Sequence, residues 1–138
     1  MRIRGFTLSE VVTIAVVVIV LAAVAVPLWR TRELRNRRDD AVEALLAVQA
    51  AQDRYFGEFA RYASGADGLK INPYSRRGFY EITIRNSADN LGYWATARVR
   101  AVAATPDTRC VEMRIDQNGR RFAVDAEGVD RSADCWRD

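Results

Sequence analysis

The feature that most constrains this chain is a long apolar run near its N-terminus. Residues 11–28 are apolar throughout except for Thr13. With the apolar residues just before and after it, the run forms about 24 residues of helix, or ~36 Å, which is enough to span a bilayer. It does not end in the small residues that mark cleavage of a secretory signal peptide. We therefore predict a membrane-spanning helix over residues 6–29.

The rest of the chain leaves room for one small domain and offers little for catalysis. The chain has 138 residues and contains no histidine. Without histidine, Ser-His-Asp and Cys-His catalysis and the commonest metal ligand are excluded. No nucleophile–base pair, phosphate-binding loop or cluster of metal ligands is recognisable either. We expect a protein that is not an enzyme, with no cofactor, no metal and no small-molecule substrate.

Glu10 places a carboxylate at the start of the apolar run. An unpaired carboxylate costs about 2.5–3.5 kcal/mol at the centre of a membrane and less near its edge, so a partner is expected. Cleavage after Gly5 would create an α-ammonium group on Phe6, four residues before Glu10. In a dry environment these two charges attract strongly. If they pair between neighbouring subunits, they set the axial register of a helical assembly.

The residues around Glu10 resemble a known processing site. The sequence Gly-Phe-Thr-Leu-Ser-Glu at residues 5–10 closely resembles the G-F-T-L-x-E site of type IV prepilins and pseudopilins. The resemblance implies a leader over residues 1–5, cleavage by prepilin peptidase between Gly5 and Phe6, N-methylation of Phe6, and subunit assembly through Glu10. Pro27 falls where many pilins carry a helix-breaking proline, and a proline removes one backbone hydrogen bond wherever it sits in a helix.

Two cysteines and a group of arginines give opposite indications of orientation. Cys110 and Cys135 predict one disulfide in an oxidising compartment, with two separate thiols as the alternative. Five arginines follow the apolar run, and the positive-inside rule would place the residues after it in the cytoplasm. They are Arg30, Arg32, Arg35, Arg37 and Arg38. We follow the cysteines and the prepilin resemblance, and predict a single-pass inner-membrane protein with its N-terminus inside that later becomes part of an extracellular pilus.

Beyond the membrane segment the helical pattern becomes one-sided. Residues 30–62 contain strong helix formers and no glycine or proline before Gly57. We predict one nearly continuous helix over about residues 7–62, whose second half, residues 30–62, is amphipathic. Its apolar stripe recurs at steps of three and four residues. The stripe consists of Val42, Leu45, Leu46, Gln49, Gln52, Phe56 and Phe59.

Residues 63–138 carry loop and strand signals. Residues 63–78 are rich in turn formers and correspond to the αβ-loop of pilins. Tyr74, Arg76 and Arg77 within it are either a contact patch or a solvated loop. Alternating apolar and polar residues predict strands over residues 80–84, 93–102, 110–115 and 121–124. A two-residue turn at Asn118-Gly119 would join the last two strands. The register that follows pairs Ile115 with Phe122, Met113 with Val124 and Asp116 with Arg121.

Together these elements predict an α+β fold, and the resemblance to prepilins implies that it is the type IV pilin fold. A long N-terminal helix packs on a small antiparallel sheet of about four strands, followed by a C-terminal disulfide loop. The layout of the C-terminal part resembles minor pilins of the PilE kind. The residues that carry this second resemblance are Tyr93, Thr96, Ala97, Asp107, Cys110, the Asn118-Gly119 pair, Cys135 and Trp136.

The resemblance implies a structural, minor subunit of a type IV pilus. Its partners would be other major and minor pilins in a helical filament, with a role in pilus assembly, twitching motility and adhesion. One alternative is a DNA-binding pilin for natural transformation, which needs basic side chains gathered on the exposed head. The candidates are Arg76, Arg77, Arg98, Arg100, Arg120 and Arg121.

Another alternative is a type II secretion pseudopilin, against which the cysteine pair argues. Asp125, Glu127 and Asp130 suggest the calcium site of that group, but their spacing does not fit an oxygen-ligand loop.

Overall fold

A computed structural model describes residues 7–102 and 106–136 of the chain. The chain divides into two compact units, Met1–Arg35 and Asn36–Asp138. In chain order, the elements are α1 (Leu8–Phe59), α2 (Gly65–Leu69), β1 (Tyr80–Asn86), β2 (Tyr93–Val99), β3 (Glu112–Asp116), β4 (Arg121–Val124) and α3 (Ser132–Cys135). The predicted combination of a long N-terminal helix and four strands is confirmed.

The first unit contains the apolar part of α1. The most apolar stretch of 18 residues in this helix has a mean hydropathy of 3.1, and none of it is buried. Its aliphatic side chains are exposed over roughly half or more of their surface, as for Ile19 at 67% and Leu21 at 64%. The helix is therefore long and apolar enough to cross a membrane, and the crossing itself remains a prediction.

In the second unit, α1 buries a narrow stripe of side chains. Ala41, Leu45, Val48 and Gln52 are at most 1% exposed. Their spacing of four, three and four residues follows one face of a helix. The predicted stripe is thus right for Leu45 and Gln52. It is wrong for three bulky apolar residues that lie beside this face, since they are 38–53% exposed; these are Leu46, Phe56 and Phe59.

The four strands form one antiparallel sheet in the order β1-β2-β3-β4. Burial alternates along β1 and β2, as the sequence predicts. The buried strand residues join the α1 stripe in a single core cluster. From the sheet this cluster includes Ile82, Ile84, Ala95, Ala97, Met113, Ile115 and Ala123. β2 pairs through residue 99, three residues short of the predicted end at residue 102.

The hairpin between β3 and β4 has a loop of three residues. The Asp116 N–H donates to the Arg120 carbonyl at 3.1 Å, which leaves residues 117–119 as the loop. Gly119 takes the left-handed conformation with a φ of +73°. A three-residue loop that ends on a left-handed residue is a common alternative to the two-residue turn that Asn-Gly favours. Asp116 supports it by accepting the N–H groups of Asn118 and Arg120 on its side chain at 2.9 and 2.8 Å.

The extra loop residue shifts the register by one position relative to the prediction. The observed pairs are Glu112 with Val124, Met113 with Ala123, Arg114 with Phe122, and Ile115 with Arg121. The predicted pairing of Ile115 with Phe122, Met113 with Val124 and Asp116 with Arg121 is therefore wrong. A shift of one residue exchanges the two faces of a strand. Ala123 consequently enters the core, while Phe122 is 41% exposed on the outer face.

The C-terminal residues cover the free edge of β4. Arg131 N–H donates to the Ala123 carbonyl at 2.8 Å, and the Trp136 indole N–H donates to the Phe122 carbonyl at 2.9 Å. The Cys110–Cys135 disulfide is present and closes the tail onto the start of β3. An uncovered edge strand is a site for unwanted pairing, and this tail removes part of that edge.

Helix α1 ends at Phe59, three residues before the predicted boundary. Ala60 follows it in the left-handed conformation with a φ of 52°. The chain then returns to the helix through Gln52, whose buried amide pairs with the backbone of Ala63. The Gln52 side chain donates to the Ala63 carbonyl at 2.8 Å and accepts the Ala63 N–H at 2.9 Å. Gln52 therefore acts as a fixed point between α1 and the loop that leads to β1.

We expect Gln52→Ala to destabilise the second unit by about 2–4 kcal/mol, because it leaves two buried backbone groups of Ala63 without partners. Thermal unfolding of the detergent-solubilised full chain measures this loss. Arg54→Ala, at an exposed position of the same helix, serves as the control and should change stability by less than about 0.5 kcal/mol. Equal melting temperatures for Gln52→Ala and Arg54→Ala would contradict the role given to Gln52.

Candidate functional site

The N-terminal end of α1 is closed by Thr7 and Glu10. The Glu10 carboxylate accepts hydrogen bonds from the Thr7 backbone N–H and hydroxyl, both at 2.9 Å. In return, the Thr7 hydroxyl accepts the Glu10 N–H at 3.4 Å. This reciprocal arrangement is a capping box, with Thr7 as the N-cap and Glu10 three residues later. The Thr-x-x-Glu spacing is a sequence signature of a capping box. The prediction from the sequence assigned Glu10 a role in assembly and did not include this capping role.

Within a single chain, the Glu10 carboxylate therefore has a structural partner and is exposed. A negative charge in the first turn of a helix is also stabilised by the helix dipole. Gly5 and Phe6 lie outside the described residues. The predicted cleavage after Gly5, the N-methylation of Phe6 and the pairing of its ammonium group with Glu10 remain predictions.

Pro27 lies inside α1, which continues across it in this structure. Proline has no N–H to donate to the preceding turn, so the helix lacks one hydrogen bond there. The Thr31 hydroxyl donates to the Pro27 carbonyl at 3.0 Å. The chain thus has a local weak point at Pro27, and the loosening of the helix there during assembly remains a prediction.

In the second unit, an ion pair between Arg38 and Asp107 holds the disulfide region to α1. Arg38 Nε lies 2.5 Å from Asp107 Oδ2, and Arg38 Nη2 lies 3.1 Å from Asp107 Oδ1. The Asp107 side chain is only 2% exposed and that of Arg38 16%. The hydrogen bond to Asp107 raises the pKa of Arg38 further above its ordinary value.

Asp107 also organises the backbone that leads to the disulfide. Its Oδ1 accepts the N–H groups of Arg109 and Cys110 at 3.0 and 3.2 Å. One buried carboxylate thus fixes α1, through Arg38, and the residue that carries the disulfide. Asp107 is part of the Asp-x-x-Cys resemblance, but the sequence carries no signal for its pairing with Arg38, because the two residues are 69 positions apart.

The arginines proposed for DNA binding mostly engage groups of the same chain. Arg76 pairs with Glu43, Arg98 with Glu112 and Arg120 with Asp116, while Arg100 lies over the Tyr74 ring and Arg121 over the Trp136 ring. The second unit also has no excess of charge. Of 21 basic and 18 acidic residues, five and two respectively precede position 36, which leaves 16 of each. Five of the six predicted arginines therefore have an acidic or aromatic partner within the chain.

The Asp125 carboxylate, considered for calcium, is occupied by donors from its own loop. Asp125 Oδ1 accepts the N–H groups of Glu127 and Val129 at 3.1 and 2.8 Å, and Oδ2 accepts Arg131 Nε at 2.9 Å. The Arg131 guanidinium lies where a cation would be needed. Asp130 is likewise engaged, by the backbone and hydroxyl of Ser132. Among the described residues, no group of three acidic, histidine or cysteine side chains is placed to hold a metal.

These hydrogen bonds predict a pH dependence. Burial alone would raise the pKa of Asp125, but the donors from Val129, Arg131 and Glu127 lower it below its ordinary value of 3.8. A carboxyl group whose pKa is lowered on folding stabilises the fold above its unfolded pKa, and this stabilisation is lost progressively as the pH falls below that value and through the lower pKa of the folded state. We expect the melting temperature of the full chain to fall more steeply below about pH 4 than that of Asp125→Asn.

The matched control is Glu127→Gln, which removes a charge from the same loop but keeps the donors to Asp125. It should retain the steep acid dependence of the unmodified chain. If Asp125→Asn shows the same acid dependence as Glu127→Gln, the stabilising role of the Asp125 carboxylate is wrong.

Comparison with known proteins places this fold among the pilins. A family described as "Type IV minor pilin ComP, DNA uptake sequence receptor" matches residues 27–114. The type IV major pilin protein PilA of Myxococcus xanthus is 31% identical over 96 residues, which cover 64% of this chain and 44% of PilA. The type II secretion system core protein G of Pectobacterium carotovorum is 36% identical over 69 residues, which cover 50% of this chain and 44% of that protein. The chain thus spans less than half the length of these relatives.

A solved structure supports the same fold. The type IV pilin from Shewanella oneidensis superposes with a TM-score of 0.53 at 24% sequence identity, over 75% of this chain and 98% of that one. At this identity the likeness concerns the fold alone. The family match covers more than half of the residues, including all of β1, β2 and the apolar stripe of α1 in the second unit. The chain therefore belongs to the family of the type IV minor pilin ComP.

Proposed function

We propose that this protein is a structural, minor subunit of a type IV pilus. The observation that carries the proposal is the exposed apolar surface of α1, which begins at a single carboxylate. No side chain in its most apolar 18 residues is buried within the chain. An apolar surface of this extent is unstable in water and needs lipid or other apolar helices around it. The inner membrane before assembly and a helical filament of major and minor pilins afterwards supply these two environments.

Glu10 is the group that distinguishes the two environments. In the single chain its carboxylate caps the helix through Thr7. After prepilin peptidase cleaves the chain, the ammonium group of Phe6 on a neighbouring subunit would offer a stronger, charged partner in the dry filament core. The same peptidase would methylate Phe6. A membrane orientation with the N-terminus inside places the disulfide on the oxidising side.

A second candidate is DNA binding during uptake, and the description of the matched family favours it. The charge balance of the second unit opposes it, because non-specific DNA affinity comes from unneutralised Lys and Arg at phosphates.

A role as a secretion pseudopilin finds support in the similarity to core protein G. The disulfide and the Arg131 guanidinium on Asp125 fit that role poorly. Twitching motility and adhesion are the activities to which a pilus subunit would contribute.

Substitution of Glu10 separates its capping role from its charge. Glutamine can replace glutamate in a capping box but carries no charge. We expect both Glu10→Gln and Glu10→Ala to lower the amount of the protein in sheared filaments by more than about tenfold, because either change leaves the Phe6 ammonium without its partner. Quantitative immunoblotting of filament and membrane fractions measures this.

Ser9→Ala is the neighbouring control and should assemble normally, since it removes a neutral hydroxyl that lies 3.1 Å from that of Thr7 and leaves the Glu10 charge in place. Normal assembly of Glu10→Gln together with failure of Glu10→Ala would show that Glu10 acts only as a helix cap. Normal assembly of both variants would remove Glu10 from the mechanism.

The intact mass of the protein from sheared filaments tests processing and export together. We expect a chain that begins at N-methylated Phe6 and is about two protons lighter before reduction than after it, because Cys110 and Cys135 are joined. A chain found only in membranes, still beginning at Met1 and carrying free thiols, would contradict the proposal. That result would instead support a membrane anchor whose second unit faces the cytoplasm.

A further inference from the structure

The outer face of the sheet carries a groove that the core and the filament segment do not use. Two adjoining cavities of about 500 and 330 Å³ lie on this face and share Trp94, Glu112 and Arg114 in their walls. Their sizes fall in the range of binding sites for small molecules. We call the surface lined by these two cavities the outer groove; its walls include Thr83, Trp94, Thr96, Arg98, Glu112, Arg114 and Phe122.

Two aromatic rings form the apolar part of the outer groove. Trp94 on β2 and Phe122 on β4 have ring centroids 5.5 Å apart and meet edge to face at 62°. They are 42% and 41% exposed, although burial of either ring in the core on the other face of the sheet would be favourable. Edge-to-face packing orients the rings, and rings that are fixed in this way can stack on a ligand with little loss of conformational freedom.

A rigid polar frame lies beside the rings. Glu112 is 4% exposed and is held from both sides by Arg98 and Arg114. The side chains of Arg98 and Arg114 remain 65% and 51% exposed, and both line the larger of the two cavities. Because Glu112 fixes both planar groups, their outward N–H donors are preorganised for a polar ligand.

Threonine hydroxyls complete the frame. Thr83 and Thr96 face each other across β1 and β2, and Arg114 and Phe122 continue the same row across β3 and β4. The row therefore offers hydroxyls that both donate and accept, then guanidinium donors, then an aromatic ring. A ligand that matches it needs several hydroxyl groups and an apolar face.

The charge of the outer groove selects between ligand classes. Its walls contain three arginines and three acidic residues, which balance; these are Arg85, Arg98, Arg114, Glu81, Glu112 and Asp130. A polyanion such as DNA requires uncompensated positive charge at its phosphates, and here Glu112 already neutralises part of the charge of two arginines. A neutral ligand has no phosphates and does not require uncompensated positive charge.

We propose that the outer groove binds a short neutral oligosaccharide. The hydroxyl groups of a sugar would bond to Thr83, Thr96 and the outward N–H groups of Arg98 and Arg114, while the C–H face of the sugar ring stacks on Trp94. This activity goes beyond a role as a filament subunit, and the protein needs no filament to display it. Its failure is therefore distinguishable from failure of the pilus proposal.

The test uses the detergent-solubilised full chain and three neutral trisaccharides: maltotriose, cellotriose and chitotriose. We expect at least one to bind at ~1 mM or tighter, the weak end of the affinity scale, as measured by saturation-transfer NMR on the sugar protons. Trp94→Ala should weaken this binding at least tenfold, and so should Thr96→Val, which removes one hydroxyl at nearly constant shape. Leu91→Ala, which replaces an exposed apolar residue outside the groove, should bind like the unmodified chain.

Melting temperatures confirm that each variant is folded, and Thr96→Val keeps the test valid if Trp94→Ala unfolds. The proposal is overturned if none of the three sugars binds, or if folded Trp94→Ala and Thr96→Val bind as tightly as the unmodified chain. It is also overturned if a DNA duplex, but no sugar, binds at this face with an affinity that falls steeply with salt.

Discussion

The second unit depends on the burial of one helical stripe by one sheet. Leu45, Val48 and Gln52 are almost completely buried, and the inner face of the sheet supplies the other half of the same cluster. Among the residues that the structure describes, none buries the most apolar 18 residues of α1 in this way. The residue pattern of this single helix changes along its length, from apolar on all sides to apolar on one face. One surface of this helix serves the folding of the second unit, and under the proposed function a different surface would serve filament assembly.

A small core of this size needs additional links between segments of the chain, and the described residues include three links of different chemistry. The Gln52 amide pairs with the backbone of Ala63, the Arg38 guanidinium with Asp107, and Cys110 with Cys135. Each ties down a segment that carries no continuous apolar pattern of its own, near Ala63, near Asp107 and in the C-terminal tail. Small domains often rely on such links because their surface is large relative to the core. The disulfide alone is worth roughly 3–4 kcal/mol in the chain-entropy model for a loop of this length.

The helix and strands that show a regular apolar pattern were predictable from the sequence. Contacts that depend on the exact length of one loop, or on residues far apart in the sequence, were not. Alternation places β1 and β2, and steps of three and four place the buried stripe near Leu45. Asn-Gly correctly marks a hairpin, but it does not decide between two and three loop residues, and that difference reverses the faces of β4. Arg38 and Asp107 meet only because the whole fold brings them together. The outer groove likewise depends on Phe122 facing outward, which the predicted register excluded.

The capping box at the N-terminus adds a physical constraint on assembly. As long as Glu10 is bonded to Thr7, its charge is partly satisfied and the end of the helix is closed. In the proposed filament, a charged partner from a neighbouring subunit would have to compete with these bonds. The free energy gained on assembly would then be the difference between the two arrangements rather than the full strength of an ion pair in a dry site. This difference is largest where water is excluded, because the competing bonds to Thr7 are local and the attraction between the charges grows as the dielectric constant falls. Under the proposed function, the membrane-embedded chain and the filament subunit would share one sequence, and the apolar neighbours of α1 would decide which partner Glu10 takes.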